Sequence, residues 1–282
     1  MVDKRNIVLE NTVTSHAYVS TGSRGSSSYP LRNKEEHATY IKRLLSKSYK
    51  DELTQKQAAA IRYKTGMYLE FASAPGYDLE IKSLENRNQG ISLLNVHEDV
   101  ETGVTRATVY IPEGKENFFL KQVEEYQVEF TKKGNPKHEK LVTSIEDIQR
   151  AVLDSFWFGE KNEIPNEHKK WCEVWFRVPN NNKSLVMMPE EVENAVNDIC
   201  QALQIEIKPE KIVFPERLVK LLWVTEEDLL NLLNACNLVA EIRQAYEPTS
   251  FFTSLSNKEQ KDWNQELLNE RSNPPAMLGR IV

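Results

Sequence analysis

Histidines, cysteines, paired carboxylates and glycine-flanked lysines are the residues of this 282-residue chain that could do chemistry. His16, His37, His97, His138 and His168 stand singly, and neither His97-Glu98 nor His138-Glu139 extends to the His-Glu-x-x-His pair that holds zinc on one helix face. Cys172, Cys200 and Cys236 lie far apart, with no Cys-x-x-Cys, and each occupies an apolar-periodic position, so each is expected to be a small core residue. No Gly-x-Ser-x-Gly elbow exists. Gly114-Lys115 lacks the upstream glycine and the following Ser/Thr of a phosphate loop. Glu190-Glu191 and Glu226-Glu227-Asp228 open predicted helices, where the positive end of the helix dipole attracts carboxylates, so neither reads as an acid/base pair. The sequence therefore assigns no catalytic residue, no metal ligand and no cofactor.

Charge and composition narrow the classes further. With 36 Lys+Arg against 42 Asp+Glu the formal net charge is −6, which disfavours a general nucleic-acid binder, because phosphate neutralisation needs a basic face. Three widely spaced cysteines cannot form a disulfide framework, so a reducing, cytoplasmic setting is expected. No apolar run approaches the ~18 residues that a membrane-spanning helix needs.

The elements that would position any site follow from periodicity. Residues 1–33, with the Gly/Ser-rich stretch at 20–30, read as a flexible segment. Tyr40, Ile41, Leu44, Leu45 and Tyr49 keep helical spacing, which predicts a long helix over 34–65. Met67, Leu69 and Phe71 alternate with Tyr68, Glu70 and Ala72 as a strand, and Ile91–His97 and Val104–Ile111 predict a hairpin. Phe119, Val123, Tyr126 and Phe130 make an amphipathic helix, and Ile145, Ile148, Val152 and Phe156 predict another, led by a Thr143/Glu146 capping box. The order then recurs. Trp171–Val178 is a strand and Pro189 starts a helix, while Lys211–Phe214 and Leu218–Val224 form a hairpin. Thr225 caps a further helix, and Ala240–Tyr246 is a last strand. The predicted fold class is α+β: two tandem ferredoxin-like βαββαβ units behind a long N-terminal helix. The first unit spans 66–158, with an extra helix in place of a final strand, and the second spans 170–247. Residues 248–282 form a helix and tail.

One non-catalytic feature stands out in the second unit. On the strand Trp171–Val178, alternation turns Cys172, Val174, Phe176 and Val178 toward the helices and Trp171, Glu173, Trp175 and Arg177 toward the other face. Two tryptophans with a charged rim have the composition of an interface centre, so these four are the candidate partner-interface residues. The N-terminal helix or the other unit could instead cover them within the chain.

Several blocks resemble a known family. They are Gly66-Met-Tyr-Leu-Glu-Phe-Ala-Ser-Ala-Pro-Gly-Tyr-Asp-Leu-Glu80 with Lys82-Ser-Leu-Glu85, then Val104-Thr-Arg-Ala-Thr-Val-Tyr-Ile-Pro-Glu-Gly-Lys115 and Thr131-Lys-Lys-Gly-Asn-Pro-Lys137. Val152-Leu-Asp-Ser-Phe-Trp157, Glu173-Val-Trp175, Val213-Phe-Pro-Glu-Arg217 and Pro274-Pro-Ala-Met-Leu-Gly279 continue the series. Together they resemble the long N-terminal region that precedes the catalytic domain in a family of bacterial subtilisin-like serine peptidases. Such peptidases are encoded beside an AAA-type ATPase and are associated with defence against phage. The resemblance implies a cytoplasmic, pro-region-like module whose partners are the subtilase catalytic domain in cis and the AAA-type ATPase. The triad motifs, Asp-Ser/Thr-Gly, His-Gly-Thr and Gly-Thr-Ser, are absent from the sequence, so no catalytic residue carries over and the chain itself is expected not to be an enzyme. A stand-alone scaffold that binds the ATPase without any peptidase role is the alternative; an independent α+β enzyme would need a constellation that the sequence lacks.

Overall fold

Eight strands make two four-stranded antiparallel sheets, and six helices accompany them in the computed structural model, which describes residues 29–58, 64–99, 101–180, 186–245 and 256–272. Of the flexible segment expected over 1–33, residues 1–28 lie outside the described residues, as does the Pro274-Pro275 tail. The first sheet holds β1 (Met67–Ser73), β2 (Ser92–Asp99), β3 (Val104–Ile111) and β4 (Ile145–Arg150) in the order β2-β3-β1-β4. The second holds β5 (Lys170–Arg177), β6 (Glu206–Phe214), β7 (Arg217–Val224) and β8 (Val239–Gln244) in the equivalent order β6-β7-β5-β8. Every pairing within both sheets is antiparallel.

The helices are α1 (Lys34–Ala58), α2 (Phe118–Val128), α3 (Glu139–Ser144), α4 (Pro189–Ala202), α5 (Glu226–Ala235) and α6 (Asn257–Ser272). In the second unit, α4 links β5 to β6 and α5 links β7 to β8. Pro189 at the first position and the Thr225/Asp228 capping box start these two helices as the sequence predicts. The first unit is built differently. Only two short 3₁₀ turns, Ile81–Leu84 and Arg87–Gln89, separate β1 from β2. The vacant helical position is taken by α1, which lies along β4 and α2 with Ala38, Ile41 and Leu45 fully buried. His37 Nε2 meets the Val142 carbonyl at 2.9 Å, and Ser48 Oγ donates to the Ile148 carbonyl at 3.2 Å, which fixes the docking.

The segment expected to be a helix over Ile145–Phe156 is β4 followed by a 3₁₀ turn at Leu153–Ser155, so the first unit does have its final strand. A β-bulge explains the misleading spacing. Phe71 pairs with Ile148 and Ser73 with Ile145, but the register slips between Ala72 and Ser73, so Glu146 is an extra residue. Two core isoleucines on one sheet face thereby stand three apart, as on a helix. Thr143 caps nothing; its hydroxyl donates back to the Glu139 carbonyl within α3.

The chain between the units is structural. The Phe156 carbonyl and the Phe158 N–H flank Ile242: Ile242 N–H donates to the Phe156 carbonyl and Phe158 N–H to the Ile242 carbonyl, both at 2.8 Å, which pairs the outer edge of β8 at Ile242. Phe156 itself stands edge-on to Tyr68 with ring centroids 5.0 Å apart. Thr108 Oγ1 donates to the Ser155 carbonyl at 2.9 Å, and Asn95 Nδ2 donates to the carbonyls of Ser155 (3.1 Å) and Ala240 (2.7 Å). Tyr68 donates its hydroxyl to the Cys236 carbonyl at 2.8 Å. These contacts cover the second face of the first sheet, and all seven residues of β1 are buried. The second face of the first sheet is therefore closed: residues 151–157 and the flank of the second unit fill it.

Candidate functional site

The uncovered face of the second sheet is where chemistry-bearing side chains collect. Alternation along β5 turns Trp171, Glu173 and Trp175 away from the helices, and all three are half-buried. Antiparallel register then sets their neighbours. Trp171 lies opposite Trp223, Glu173 opposite Leu221 and Trp175 opposite Val219 on β7; on the other side, Glu173 lies opposite Arg243 and Trp175 opposite Glu241 on β8. The two-residue turn Pro215-Glu216 brings Phe214 of β6 level with Arg217 and onto the same face.

Two aromatic pairs dominate this face. Trp171 and Trp223 have centroids 5.1 Å apart, with Lys208 Nζ 4.6 Å from the Trp171 ring. Trp175 and Phe214 stack at 5.5 Å with planes 8° apart, and the Arg243 guanidinium lies 4.9 Å from the Trp175 ring. Arg243 also stands 5.4 Å over Phe158, whose ring is 3.7 Å from that of His97. A row of rings bridged by the Arg243 guanidinium thus runs from Phe214 to His97 of the first unit. Such contacts are worth about 0.5–2 kcal/mol each. Glu241 holds Arg243 in place through an ion pair. The indole N–H of Trp175 is shielded and meets no acceptor.

Arg177, the fourth expected interface residue, keeps the parity of this face but is covered there. It is buried, its guanidinium 3.9 Å from the Tyr110 ring and its Nε donating to the Asn237 carbonyl at 2.9 Å. Together with Arg217, which donates to the Leu94 carbonyl at 2.9 Å, it belongs to the junction between the units. Sequence reasoning missed Trp223, Phe214, Arg243 and Lys208 as members of the face. The signal was present for two of them, since Leu221 and Trp223 alternate with Leu222 and Val224, and the short turn fixes the register of Phe214.

Elsewhere the reactive residue types are structural. All three cysteines are buried, and burial pushes the thiols of Cys172 and Cys200 up to about 12 and that of Cys236 up to about 11, far from a nucleophilic thiolate at neutral pH. Lys64 and Glu52 form a buried ion pair at 3.0 Å; desolvation lowers the Lys64 amine more than Glu52 raises it. Glu193 on α4 holds the buried Lys220 at 3.0 Å. Desolvation likewise lowers His37 and His97. Among the described residues, no group of three His, Cys, Asp or Glu could hold a metal ion, and no helix is long and apolar enough to cross a membrane. The arrangement offers flat, aromatic, cation-bordered area. No family model, no curated protein and no solved structure matches the chain.

Proposed function

We propose that this chain is a non-catalytic docking and regulatory module that seats a partner protein on the aromatic face of its second sheet. The observation that carries the reading is the exposure of Trp171, Trp175, Trp223 and Phe214 together on the one sheet face that no other part of the described chain covers. Clustered half-exposed tryptophans ringed by Glu173, Glu241, Arg243 and Lys208 match the aromatic core and charged rim of protein interfaces.

The antiparallel order, with helices after the first and third strands of the second unit, supports a ferredoxin-like reading of that unit, and the first follows it with α1 in the crossover's place. The sequence blocks from Gly66 to Gly279 support a subtilisin-like peptidase as the parent, with its catalytic domain in cis as the first partner and the AAA-type ATPase as the second. Phage defence and a cytoplasmic setting belong to the same reading.

The test is the double variant Trp171→Ala/Trp175→Ala, titrated calorimetrically against the subtilase catalytic domain and against the ATPase encoded beside it. Affinity for one of them should fall at least about tenfold, equivalent to 1.4 kcal/mol. Stability should fall by only about 1–2 kcal/mol, because both indoles are half exposed before the change. Unaltered affinity with a large loss of stability would return the tryptophans to a purely structural role. Binding to the ATPase alone would favour the stand-alone scaffold. Stoichiometric labelling of one serine by a fluorophosphonate would defeat the non-catalytic part.

A further inference from the structure

Four strand edges bound the two sheets, and three lie against other parts of the described chain. β8 is paired by Phe156–Phe158. β4 lies under α1 and carries Asp147, Gln149 and Arg150. β2 has Leu94 and Asn95 buried against the second unit and ends in His97-Glu98-Asp99. The fourth edge, β6, pairs with β7 alone. Its last three residues, Ile212, Val213 and Phe214, are 58%, 46% and 44% exposed. Val186 and Met188, 62% and 59% exposed, lie at the same end of the unit, where Val178 N–H donates to the Glu216 carbonyl at 3.0 Å and Asn180 bridges to Val186. Five of the large exposed apolar side chains of the described chain are therefore gathered at one sheet corner. An open apolar strand edge is a template for another strand.

We propose that the Lys211–Phe214 half of β6 pairs antiparallel with the same segment of a second copy of this chain, about a two-fold axis at Val213. The register follows from the turn. In a two-residue hairpin the closing pair, here Phe214 and Arg217, is the hydrogen-bonded one. Phe214 and Ile212 thus bond to β7, and Val213 and Lys211 turn their N–H and C=O groups outward. Pairing about Val213 sets Val213 against Val213 of the partner subunit on the helix side, with two reciprocal hydrogen bonds. On the aromatic side it sets Ile212 against the partner's Phe214, and Phe214 against the partner's Ile212. Every opposed pair in the core of this contact is apolar. Pairing centred on Lys211 would oppose two ammonium groups, and Pro209, which has no N–H, stops the contact from extending along β6. The two open sheet faces would run together, so that Phe214 and Trp175 of each copy become the middle of one surface. The contact is short. A stable dimer buries about 800 Å² per partner, more than four edge residues supply, so Val186 and Met188 must contribute and the dimer is a weak, concentration-dependent one.

Sedimentation of the whole chain over a range of concentrations tests this. A monomer–dimer equilibrium with a dissociation constant of about 10 µM is expected, weakened at least tenfold by Val213→Lys. Val213→Cys should give an intermolecular disulfide under mild oxidation, since the natural cysteines are buried, while Val128→Cys, at a 74% exposed site on α2, should not. The cross-link decides the matter if the lysine variant does not fold. A chain that stays monomeric at about 100 µM, a dimer indifferent to Val213→Lys, or equal cross-linking from both cysteines would overturn the proposal. The outcome is separate from partner docking, because Trp171→Ala should leave self-association unchanged.

Discussion

The two sheets share one strand order and differ in what they bury. The first is covered on both faces: α1 and α2 lie on one, and residues 151–157 with the flank of the second unit lie on the other. The second is covered only by α4 and α5, and its other face displays tryptophans. The difference is written in the side chains. On the covered face of the first sheet stand Tyr68, Glu70, Asn95, Thr108 and Tyr110: Tyr68, Asn95 and Thr108 donate to the backbone of the linking segment and of the second unit, Tyr110 donates to the Thr65 carbonyl at 3.2 Å and accepts from the Asn237 side chain, and Glu70 pairs with Arg106 at 3.0 Å. A buried polar group is tolerated only when it is hydrogen-bonded, so these residues commit their face to one fixed neighbour. The tryptophans of the second sheet make no such commitment. Aromatic area without a dedicated internal partner suits a contact that forms and breaks.

The comparison breaks most sharply at Phe156. It is fully buried between Tyr68 and the second core, and Phe156→Ala should destabilise the chain by about 3–5 kcal/mol, well beyond the loss expected from removing Trp171 and Trp175 together. Denaturant unfolding followed by circular dichroism would measure it. A smaller loss at Phe156 than at the tryptophans would invert the assignment of covered and open faces. Asn95→Ala should cost about 2 kcal/mol, since the Ala240 carbonyl loses its 2.7 Å donor in a site that water does not reach. If Asn95→Ala were neutral, the polar clasp between the units would not be what holds the first sheet's second face.

The open face was more legible in the sequence than the covered one. Period-two alternation placed Trp171 and Trp175 correctly, because β5 is regular from Lys170 to Arg177. The same rule put Arg177 on the open face, where it stands by parity. It could not tell that Tyr110, distant in sequence, stacks on that guanidinium. The bulge at Ala72/Ser73 hid β4 behind helical spacing, and the absence of a helix between β1 and β2 concealed that α1 belongs to the first unit's layer. Local period is a property of the chain, whereas a bulge and a borrowed helix are properties of its neighbours.

Acid should act on the first unit. His37 and His97 both belong to it, and burial lowers both below the ordinary imidazole range of about 6.5. The unfolded chain then takes up these protons first, so stability is intact above pH ~6.5 and falls as the pH drops through the window below it. His37→Gln should flatten that fall, with the midpoint of thermal unfolding followed from pH 7 to pH 5. An unchanged slope would show that carboxylates alone carry the acid response.

The smallest effect expected is also the most discriminating one between the two units. Cys172, Cys200 and Cys236 all lie in the second core, with thiols held at about 12, 12 and 11. Alkylation by iodoacetamide at pH 8, read by mass spectrometry, therefore reports the opening of the second unit and is silent about the first. In the unaltered chain it should be slow at all three sites. Leu45→Ala, which opens the α1 side of the first core, should leave that rate nearly unchanged if the units open separately. Phe156→Ala should raise it, because the side chain removed is shared with the second core. Cys236 should respond most, since the Tyr68 hydroxyl bonded to its carbonyl at 2.8 Å lies beside the lost ring. Equal acceleration by Leu45→Ala and Phe156→Ala would mean that both sheets unfold as one cooperative body, and that the contrast between them is one of surface alone.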